Sequence, residues 1–151
     1  MKRKAGLVYS TPGHRLTVTT VRVAGRLAKA ADRFLKPWRL SLAQFNLLAV
    51  LRDHPDGLPQ SGIGALLVVS RPNITGLVRR MEARALCRIG SDVRDARVRR
   101  VRISPEGARL MDRIRVPYDR EIRRLTRALS SADLNQASAV LERLEAGLSG
   151  A

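Results

Sequence analysis

The sequence has few of the features on which secreted and membrane proteins rely. It contains 1 cysteine in 151 residues, so an internal disulfide and a thiolate-rich zinc site are excluded. No apolar run approaches the roughly 18 residues of a transmembrane span, and AGLVY near the N-terminus is too short for the apolar region of a signal peptide. The length is typical of one domain. We therefore predict a single domain, residues 1–151, in the cytoplasm.

Catalytic and metal-binding groupings are equally scarce. Nowhere do a nucleophile, a base and an orienting acid occur at a recognisable spacing, so we predict that the protein is not an enzyme and needs no cofactor. His14 and His54 have no cysteine or carboxylate partners at ligand spacing, which argues against a metal site. Cys87 is either an oxidation sensor or, as lone cysteines more often are, a small buried hydrophobic residue.

Positive charge, in contrast, is abundant. The chain has 29 Lys and Arg against 13 Asp and Glu, a formal net charge of +16. This excess favours a polyanionic partner, because phosphate contacts release counterions. An anionic membrane surface is the alternative, but the long helical patterns alternate apolar and charged stripes that suit packing. Ten arginines lie between residues 70 and 107, at positions 71, 79, 80, 84, 88, 94, 97, 99, 100 and 102.

Apolar spacing predicts a mainly α-helical fold with one small β-hairpin. Spacings of three and four residues predict helices over about 15–36, 42–54, 60–67, 71–86, 105–129 and 131–148. The predicted N-caps are Ser41, Ser70, Ser104 and Ser130. The alternation in RVRRVRI predicts a strand, paired with a weaker one at 88–90.

Two prolines and the apolar helix faces add to this prediction. Pro12 and Gly13 break regular structure, so residues 1–13 are predicted to form a disordered or loosely docked basic arm. Pro117 predicts a kink or two abutting helices. Apolar residues of the first and last helices are predicted to face inward, among them Val21, Leu27, Leu141 and Leu148.

The fourth helix has a predicted apolar face and a predicted DNA-binding face. The residues Ile74, Leu77, Val78, Met81 and Leu86 are predicted to point inward. An α-helix fits the major groove of B-DNA and can read base edges there. The other face offers arginine for guanine, asparagine for adenine, and threonine for a thymine methyl or a phosphate. The predicted contacts of this helix with DNA are Arg71, Pro72, Asn73, Thr75 and Arg79.

The hairpin adds a second part to this surface. Arg94 and Arg97 flank its tip and can enter a minor groove, where narrow A·T tracts deepen the negative potential. Asp95 would repel phosphate, so it orients Arg97 or caps the turn. For Arg99, Arg100 and Arg102, phosphate contact and plain solvation are equally open. The predicted wing site comprises Arg94, Asp95, Arg97 and Arg99.

Three stretches resemble the MarR (multiple antibiotic resistance regulator) family of winged helix-turn-helix transcription factors: LSLAQFNLLAVL, IGALLVVSRPNITGLVRRMEARAL and R-x₆-D-A-R-x₅-I-S-P-E-G. The resemblance implies a homodimer, with dimerisation helices over 14–38 and 105–149 and a winged-helix DNA-binding lobe over 40–104. It implies that Arg97 is the minor-groove contact, with Asp95 in the same motif. It also implies a small lipophilic, often aromatic and anionic effector between the dimerisation and DNA-binding regions.

Some positions depart from the family pattern. Similar proteins often have glycine where this chain has Val68 and Ala85, at helix ends that favour positive φ, so these two turns are predicted to differ in geometry. Pro59 and Gly62 replace the usual polar start of the third helix. The predicted effector pocket consists of four aromatic residues that could instead belong to the core: Phe34, Trp38, Phe45 and Tyr118.

The sequence thus predicts a homodimeric transcriptional regulator, a repressor released by a small ligand, that binds a pseudo-palindromic operator in double-stranded DNA. The fourth helices of the dimer would enter successive major grooves, with half-site centres about 34 Å apart. The charge alone also suits a sequence-indifferent protein that coats nucleic acid, or a module whose basic face binds an acidic protein.

Overall fold

The computed structural model describes residues 10–67, 71–92 and 98–149. Within them the chain forms six α-helices and a three-stranded antiparallel sheet. The elements are α1 (Pro12–Leu35), a 3₁₀ turn (Lys36–Trp38), α2 (Leu42–Asp53), β1 (Leu58–Pro59), α3 (Gln60–Leu66), α4 (Arg71–Ala83), β2 (Cys87–Ser91), β3 (Arg99–Ile103), α5 (Pro105–Thr126) and α6 (Ser131–Ser149). The predicted fold class, mainly helical with a small hairpin, is confirmed.

The chain divides into two compact units, Met1–Met111 and Asp112–Ala151. Helix α1 opens the first unit at Pro12, three residues before the predicted start. Thr11 is its N-cap and accepts a hydrogen bond at 3.1 Å from the backbone N–H of His14. The expectation that Pro12 and Gly13 break regular structure is therefore wrong, because a proline in the first helical position has no helical hydrogen bond to lose. Residues 1–9 of the predicted arm lie outside the described residues.

Helix α2 begins with the predicted cap. The Ser41 hydroxyl accepts from the Gln44 N–H at 3.3 Å, and the Gln44 side chain accepts from the Ser41 N–H at 2.9 Å, which completes a capping box. A carboxylate oxygen of Asp32 in α1 accepts from the Leu42 N–H at 2.6 Å. Three of the four N–H groups that have no partner within α2, those of Ser41, Leu42 and Gln44, thus donate to side chains. The bond from Leu42 to Asp32 also joins α1 to α2.

The sheet has the strand order β1-β3-β2. Strand β1 pairs with β3 through Leu58 opposite Val101, and β2 pairs with β3 through Cys87 opposite Ile103. The sequence did not predict β1, because it has only two residues and one of them is Pro59. A proline fits an edge strand, where its missing N–H costs no ladder hydrogen bond.

The core of the first unit lies between α2, α3, α4 and the inner face of the sheet. All five residues predicted on the inward face of the fourth helix are buried, as are Ile63 of α3 and Val101 of β3. The helix ends at Ala83, however, so Leu86 lies in the turn after α4 and not on it. The apolar half of α4 therefore has a complete set of partners within the unit, which directs its polar half outward.

The apolar residues predicted to be buried in α1 and α6 are exposed in the single chain. No described side chain from residue 10 to residue 29 is buried, and Val21 is 68% exposed. No described side chain of α6 is buried, and Leu148 is 69% exposed. The burial prediction is wrong at these positions because no element of the same unit covers them. A small domain rarely leaves so many apolar residues in water.

Helix α5 continues through Pro117, so two abutting helices are excluded. Helix α6 has the predicted start: the Ser130 hydroxyl accepts from the Asp133 N–H at 3.2 Å, and the Asp133 carboxylate accepts from the Ser130 N–H at 2.9 Å. The Ser130 hydroxyl also donates to the Asp133 carboxylate at 2.6 Å, and this hydrogen bond, together with that from the Ser130 N–H, lowers the pKa of Asp133 because both favour its charged form.

Candidate nucleic-acid interface

Helix α4 exposes a polar face opposite its buried face. Pro72, Asn73, Arg79 and Arg80 are exposed, and the first turn contains no acidic residue. The backbone of Arg71 begins the helix, while its side chain lies outside the described part. The helix therefore presents at least two arginines and one asparagine on one accessible surface, with no local carboxylate in its first turn to repel phosphate.

Thr75 has a different position from the other predicted contacts. It is half-buried, and its hydroxyl donates to the side-chain oxygen of Gln60 at 2.9 Å. Gln60 is the first residue of α3, so this hydrogen bond joins α3 to α4. Part of the hydrogen-bonding capacity of Thr75 is thus used inside the helix-turn-helix pair, and its contact with DNA stays a prediction.

The turn after α4 adopts the left-handed geometry. Ala85 has φ +56°, the Leu86 N–H donates to the Met81 carbonyl at 3.0 Å, and the Ala85 N–H donates to the Glu82 carbonyl at 2.8 Å. These two bonds form a Schellman motif with Ala85 at the residue that favours glycine. The predicted change of geometry at Ala85 is therefore wrong. Val68 lies outside the described residues.

A buried serine connects α4, β3 and α5. The Ser104 hydroxyl donates to the Ala85 carbonyl at 2.6 Å and accepts from the Gly107 N–H at 2.9 Å, while the Ser104 N–H donates to the Leu86 carbonyl at 3.2 Å. Gly107 is buried against Leu86, and a Cβ at this position would overlap the Leu86 carbonyl oxygen. This junction holds the end of the helix against the end of the hairpin.

The outer face of the hairpin is rich in arginine. Arg88 and Arg102 lie directly opposite each other on β2 and β3, with their side chains on the face away from Cys87 and Val101. Like charges in that arrangement are unfavourable unless an anion lies between them. Arg99 is exposed at the start of β3. Arg94, Asp95 and Arg97 lie outside the described residues, so their predicted roles are not addressed by the structure.

Arg100 belongs to the base of the hairpin. It forms an ion pair with Asp92 and donates from its guanidinium to the Gly57 carbonyl at 2.8 Å. The Asp92 N–H donates to the Val98 carbonyl at 2.8 Å. The sequence left phosphate contact and plain solvation open for Arg100. Neither describes its position, because the side chain connects β2, β3 and the turn before β1.

Arg84 is also engaged within the protein. Its guanidinium donates to the Arg39 carbonyl at 2.6 Å and to the Trp38 carbonyl at 3.4 Å. Arg39 itself has φ +56° at the end of the 3₁₀ turn. The sequence analysis missed Arg84 and Arg100 as structural residues, because the carbonyl groups that they bind lie more than 40 positions away and no local pattern connects them.

Cys87 is buried between helix and hairpin. Its thiol donates to the Val78 carbonyl at 3.7 Å, and burial, together with the nearby Glu82 carboxylate, raises its pKa to about 11. A thiol that is neutral at physiological pH is a poor nucleophile. Among the described residues, no group of three or more His, Cys, Asp and Glu side chains could hold a metal ion.

The predicted effector pocket is only partly brought together. The rings of Phe34 and Trp38 are in contact, with centroids 5.1 Å apart, and Phe45 is buried in the first unit. Tyr118 belongs to the second unit, and burial raises the pKa of its phenol. A cavity of about 520 Å³ does lie in the first unit, but it is lined by residues of α1, α2 and α4 such as Asp32, Asn46 and Arg80, and by none of the four aromatic residues.

Comparison with known proteins agrees with this geometry. A model of the MarR family matches residues 40–98. No curated protein matches the chain by sequence. AbsC, a MarR family transcriptional regulator from Streptomyces coelicolor, superposes with a TM-score of 0.83 at 20% identity, covering 96% of this chain and 100% of AbsC.

Two further solved structures are similar in fold. CouR from Rhodococcus jostii RHA1, bound to p-coumaroyl-CoA, has a TM-score of 0.77 at 25% identity, over 89% of this chain and 92% of CouR. The MepR–DNA complex of S. aureus has a TM-score of 0.77 at 22% identity, over 87% of this chain and 96% of MepR.

The two-helix unit α3–α4, followed by the β2–β3 hairpin of the three-stranded sheet, defines a winged helix-turn-helix fold. The family model matches the lobe and MarR-family structures share the fold of nearly the whole chain, so the chain is similar to MarR family transcriptional regulators, in agreement with the resemblance seen in its sequence. The MarR-family protein AbsC, which shares this fold, is a transcriptional regulator. No helix among the described residues is long and apolar enough to cross a membrane.

Proposed function

We propose that the protein is a homodimeric, cytoplasmic repressor that binds a pseudo-palindromic operator in duplex DNA and is released by a small ligand. The observation that carries the DNA-binding part is the exposed face of α4, which presents Asn73, Arg79 and Arg80 beside an arginine-rich wing. In this proposal α4 enters the major groove and the wing, through Arg94 and Arg97, reaches the minor groove. The DNA complex of the similar MepR supports this use of the fold.

The dimeric part rests on the exposed apolar residues of the helices outside the lobe. In α1, Leu16, Val23 and Leu27 are 39%, 48% and 45% exposed, and at 100° per residue they lie within about 40° of one another around the helix. Val116, Ile122, Leu129, Leu141 and Leu148 are also exposed. A second copy would bury these residues, with dimerisation helices over 14–38 and 105–149 and the DNA-binding lobe over 40–104.

A charge placed on the apolar stripe of α1 tests the dimer. Leu27→Glu should shift the protein from dimer to monomer in sedimentation equilibrium, because it would bury a charge without a partner. Val21→Glu is the matched control, since Val21 is 68% exposed and lies about 120° away from Leu27 around α1. A dimer that survives Leu27→Glu as well as Val21→Glu would contradict this assignment.

The proposed effector is small, lipophilic, aromatic and anionic. The contact between Phe34 and Trp38 offers an aromatic surface near the Arg84 link to the end of α4, and the excess of cations attracts an anion. The p-coumaroyl-CoA complex of the similar CouR supports a ligand of this class. Binding near this link would alter the position of the lobes, and with it the fit of the two α4 helices to DNA.

Selection of bound fragments from genomic DNA with the purified protein tests the DNA-binding proposal directly. A regulator should enrich a short pseudo-palindrome whose half-sites are about 34 Å apart. A competition titration at fixed salt should then show at least about a thousandfold preference for that site. A preference ratio near unity for every duplex would instead support the sequence-indifferent coating protein, which the charge of +16 also favours.

A further inference from the structure

One strongly charged surface is not used by the proposed recognition of an operator. Helix α1 carries a row of five exposed cations, which we call the α1 basic row: Arg15, Arg22, Arg26, Lys29 and Arg33. At 100° per residue these positions lie within about 60° of one another around the helix. The row is about 27 Å long, since it covers 18 steps of 1.5 Å.

The α1 basic row is not neutralised within the described part of the chain. None of its five side chains forms an ion pair there. Asp32 is the one acidic residue in α1, and its carboxylate accepts the Leu42 N–H at 2.6 Å. Five unpaired cations on one side of one helix repel each other, so an anionic partner would stabilise this surface.

The α1 basic row also stays accessible in the proposed dimer. Its centre lies about 110° around the helix from the apolar stripe of Leu16, Val23 and Leu27. Only Ala30, Ala31 and Leu35 of α1 are buried, so the helix packs on its unit at its C-terminal end alone. Arg15 lies about 22 Å along the axis from Ala30, which carries the row away from that packed end.

We propose that the α1 basic row is a second contact surface for DNA, which binds the phosphate backbone of a duplex without regard to sequence. Four of its five cations are arginines, whose planar guanidinium groups bind phosphate oxygens in pairs. A row of cations along about 27 Å of one helix suits the line of negative charges on a duplex backbone. An interfacial membrane helix would carry cations on both sides of its apolar stripe, whereas the other side of this stripe holds Ala24 and Val21.

The test is the salt dependence of binding to a mixed-sequence duplex of about three helical turns, measured by fluorescence anisotropy with the full-length protein. The basic-row variant combines Arg22→Gln, Arg26→Gln and Arg33→Gln. Each lost phosphate contact lowers the magnitude of the slope of log K against log salt by about 0.9, so the variant should lower it by about 2 to 3. Lysine at the same three positions keeps the charge and should restore most of the slope.

A matched control removes the same charge elsewhere. Arg120→Gln, Arg127→Gln and Arg143→Gln neutralise three exposed arginines of α5, α6 and the turn between them. This control should change the slope by less than about 1, since only long-range attraction is reduced. Equal slopes for the two triple variants would overturn the proposal, and so would an unchanged slope in the basic-row variant. Circular dichroism and sedimentation confirm that both variants are folded and assembled as the parent is.

The inference does not stand or fall with operator recognition. If α4 recognises an operator and the α1 basic row contacts only the DNA backbone, the basic-row variant weakens binding to every duplex equally, whereas Asn73→Ala changes sequence preference. If recognition through α4 is wrong, Asn73→Ala has no effect, and the basic-row variant still lowers the magnitude of the salt slope. The basic-row variant could instead keep duplex binding and lose binding to anionic phospholipid vesicles or polyglutamate. That result would assign the row to a membrane or an acidic protein.

Discussion

Replacing Gly107 with alanine should open the junction between α4, the hairpin and α5. Gly107 is buried in the first turn of α5, and an added Cβ would overlap the carbonyl oxygen of Leu86 and lie 3.0 Å from a side-chain carbon of Ile103. The neighbour that must move is backbone, held by the Ser104 N–H at 3.2 Å. The overlap therefore cannot be relieved by rotating a side chain.

The magnitude follows from three opposing effects. Alanine is favoured over glycine by about 1 kcal/mol inside a helix. Overpacking a rigid site costs about 1 to 3 kcal/mol. Moving α5 away from Leu86 would also weaken the hydrogen bonds of the Ser104 hydroxyl to Ala85 and from Gly107, each worth about 1 kcal/mol. We expect Gly107→Ala to lower the free energy of unfolding by about 2 to 3 kcal/mol.

Urea denaturation measures this change, and the protein concentration is held fixed because the stability of the proposed dimer would depend on it. The matched control is Gly25→Ala in α1, where a Cβ would meet nothing within 4 Å. That substitution should stabilise the protein by up to about 1 kcal/mol. If Gly107→Ala were as stable as the parent, or stabilised as Gly25→Ala is, the close approach of α5 to Leu86 would not exist as described.

Three further predictions concern the helix, its terminal turn and the thiol behind it. Ala85→Gly should stabilise the protein by about 0.5 to 1 kcal/mol, because the relief of the strain at φ +56° exceeds the extra entropy of the unfolded chain. Ala65→Gly, in helical α3, is the control and should destabilise the protein. If urea denaturation gave changes of the same sign for both variants, the strain at Ala85 would be contradicted. Asn73→Ala should weaken binding to the selected operator by about 1 to 3 kcal/mol and reduce the base preference at one base pair. An equal loss of affinity for all sequences would instead make Asn73 a contact with the DNA backbone. Cys87 should react with iodoacetamide about 100-fold more slowly in the native than in the unfolded chain, because its pKa rises from 9.0 to about 11. The rate in the native protein should increase with pH up to that pKa. Comparable rates for the native and unfolded chains at pH 8 would show an accessible thiolate and contradict the prediction.

The sequence predicted the elements whose signals are local and repeated. The inward face of the fourth helix follows from helical periodicity, and all five of its predicted residues are buried. The caps at Ser41 and Ser130 follow from residue type and a partner three positions on. These signals need only a few neighbouring residues, so they are readable without tertiary structure.

Other features depend on residues far apart in the chain, and the sequence did not predict them. Strand β1 exists because Leu58 and Pro59 meet β3, and two residues carry no periodicity of their own. Pro12 reads as a breaker or as the first residue of a helix, and only the Thr11 cap decides between them. The exposure of Leu27 and Leu148 was not predicted because an apolar face that would meet a second copy has the same pattern as one buried within the chain.

The arginines between residues 70 and 107 show why charge alone overstates the contacts with DNA. Arg84 and Arg100 donate to backbone carbonyls at 2.6 Å and 2.8 Å, and Arg100 also pairs with Asp92. A guanidinium has five donors in a fixed plane, so it can join two segments of backbone in a way that lysine cannot. These bonds occupy several of the donors that would otherwise be available to phosphate. The salt dependence of operator binding should therefore fall when exposed arginines such as Arg79, Arg88 and Arg99 are neutralised, whereas loss of Arg84 or Arg100 should act through stability.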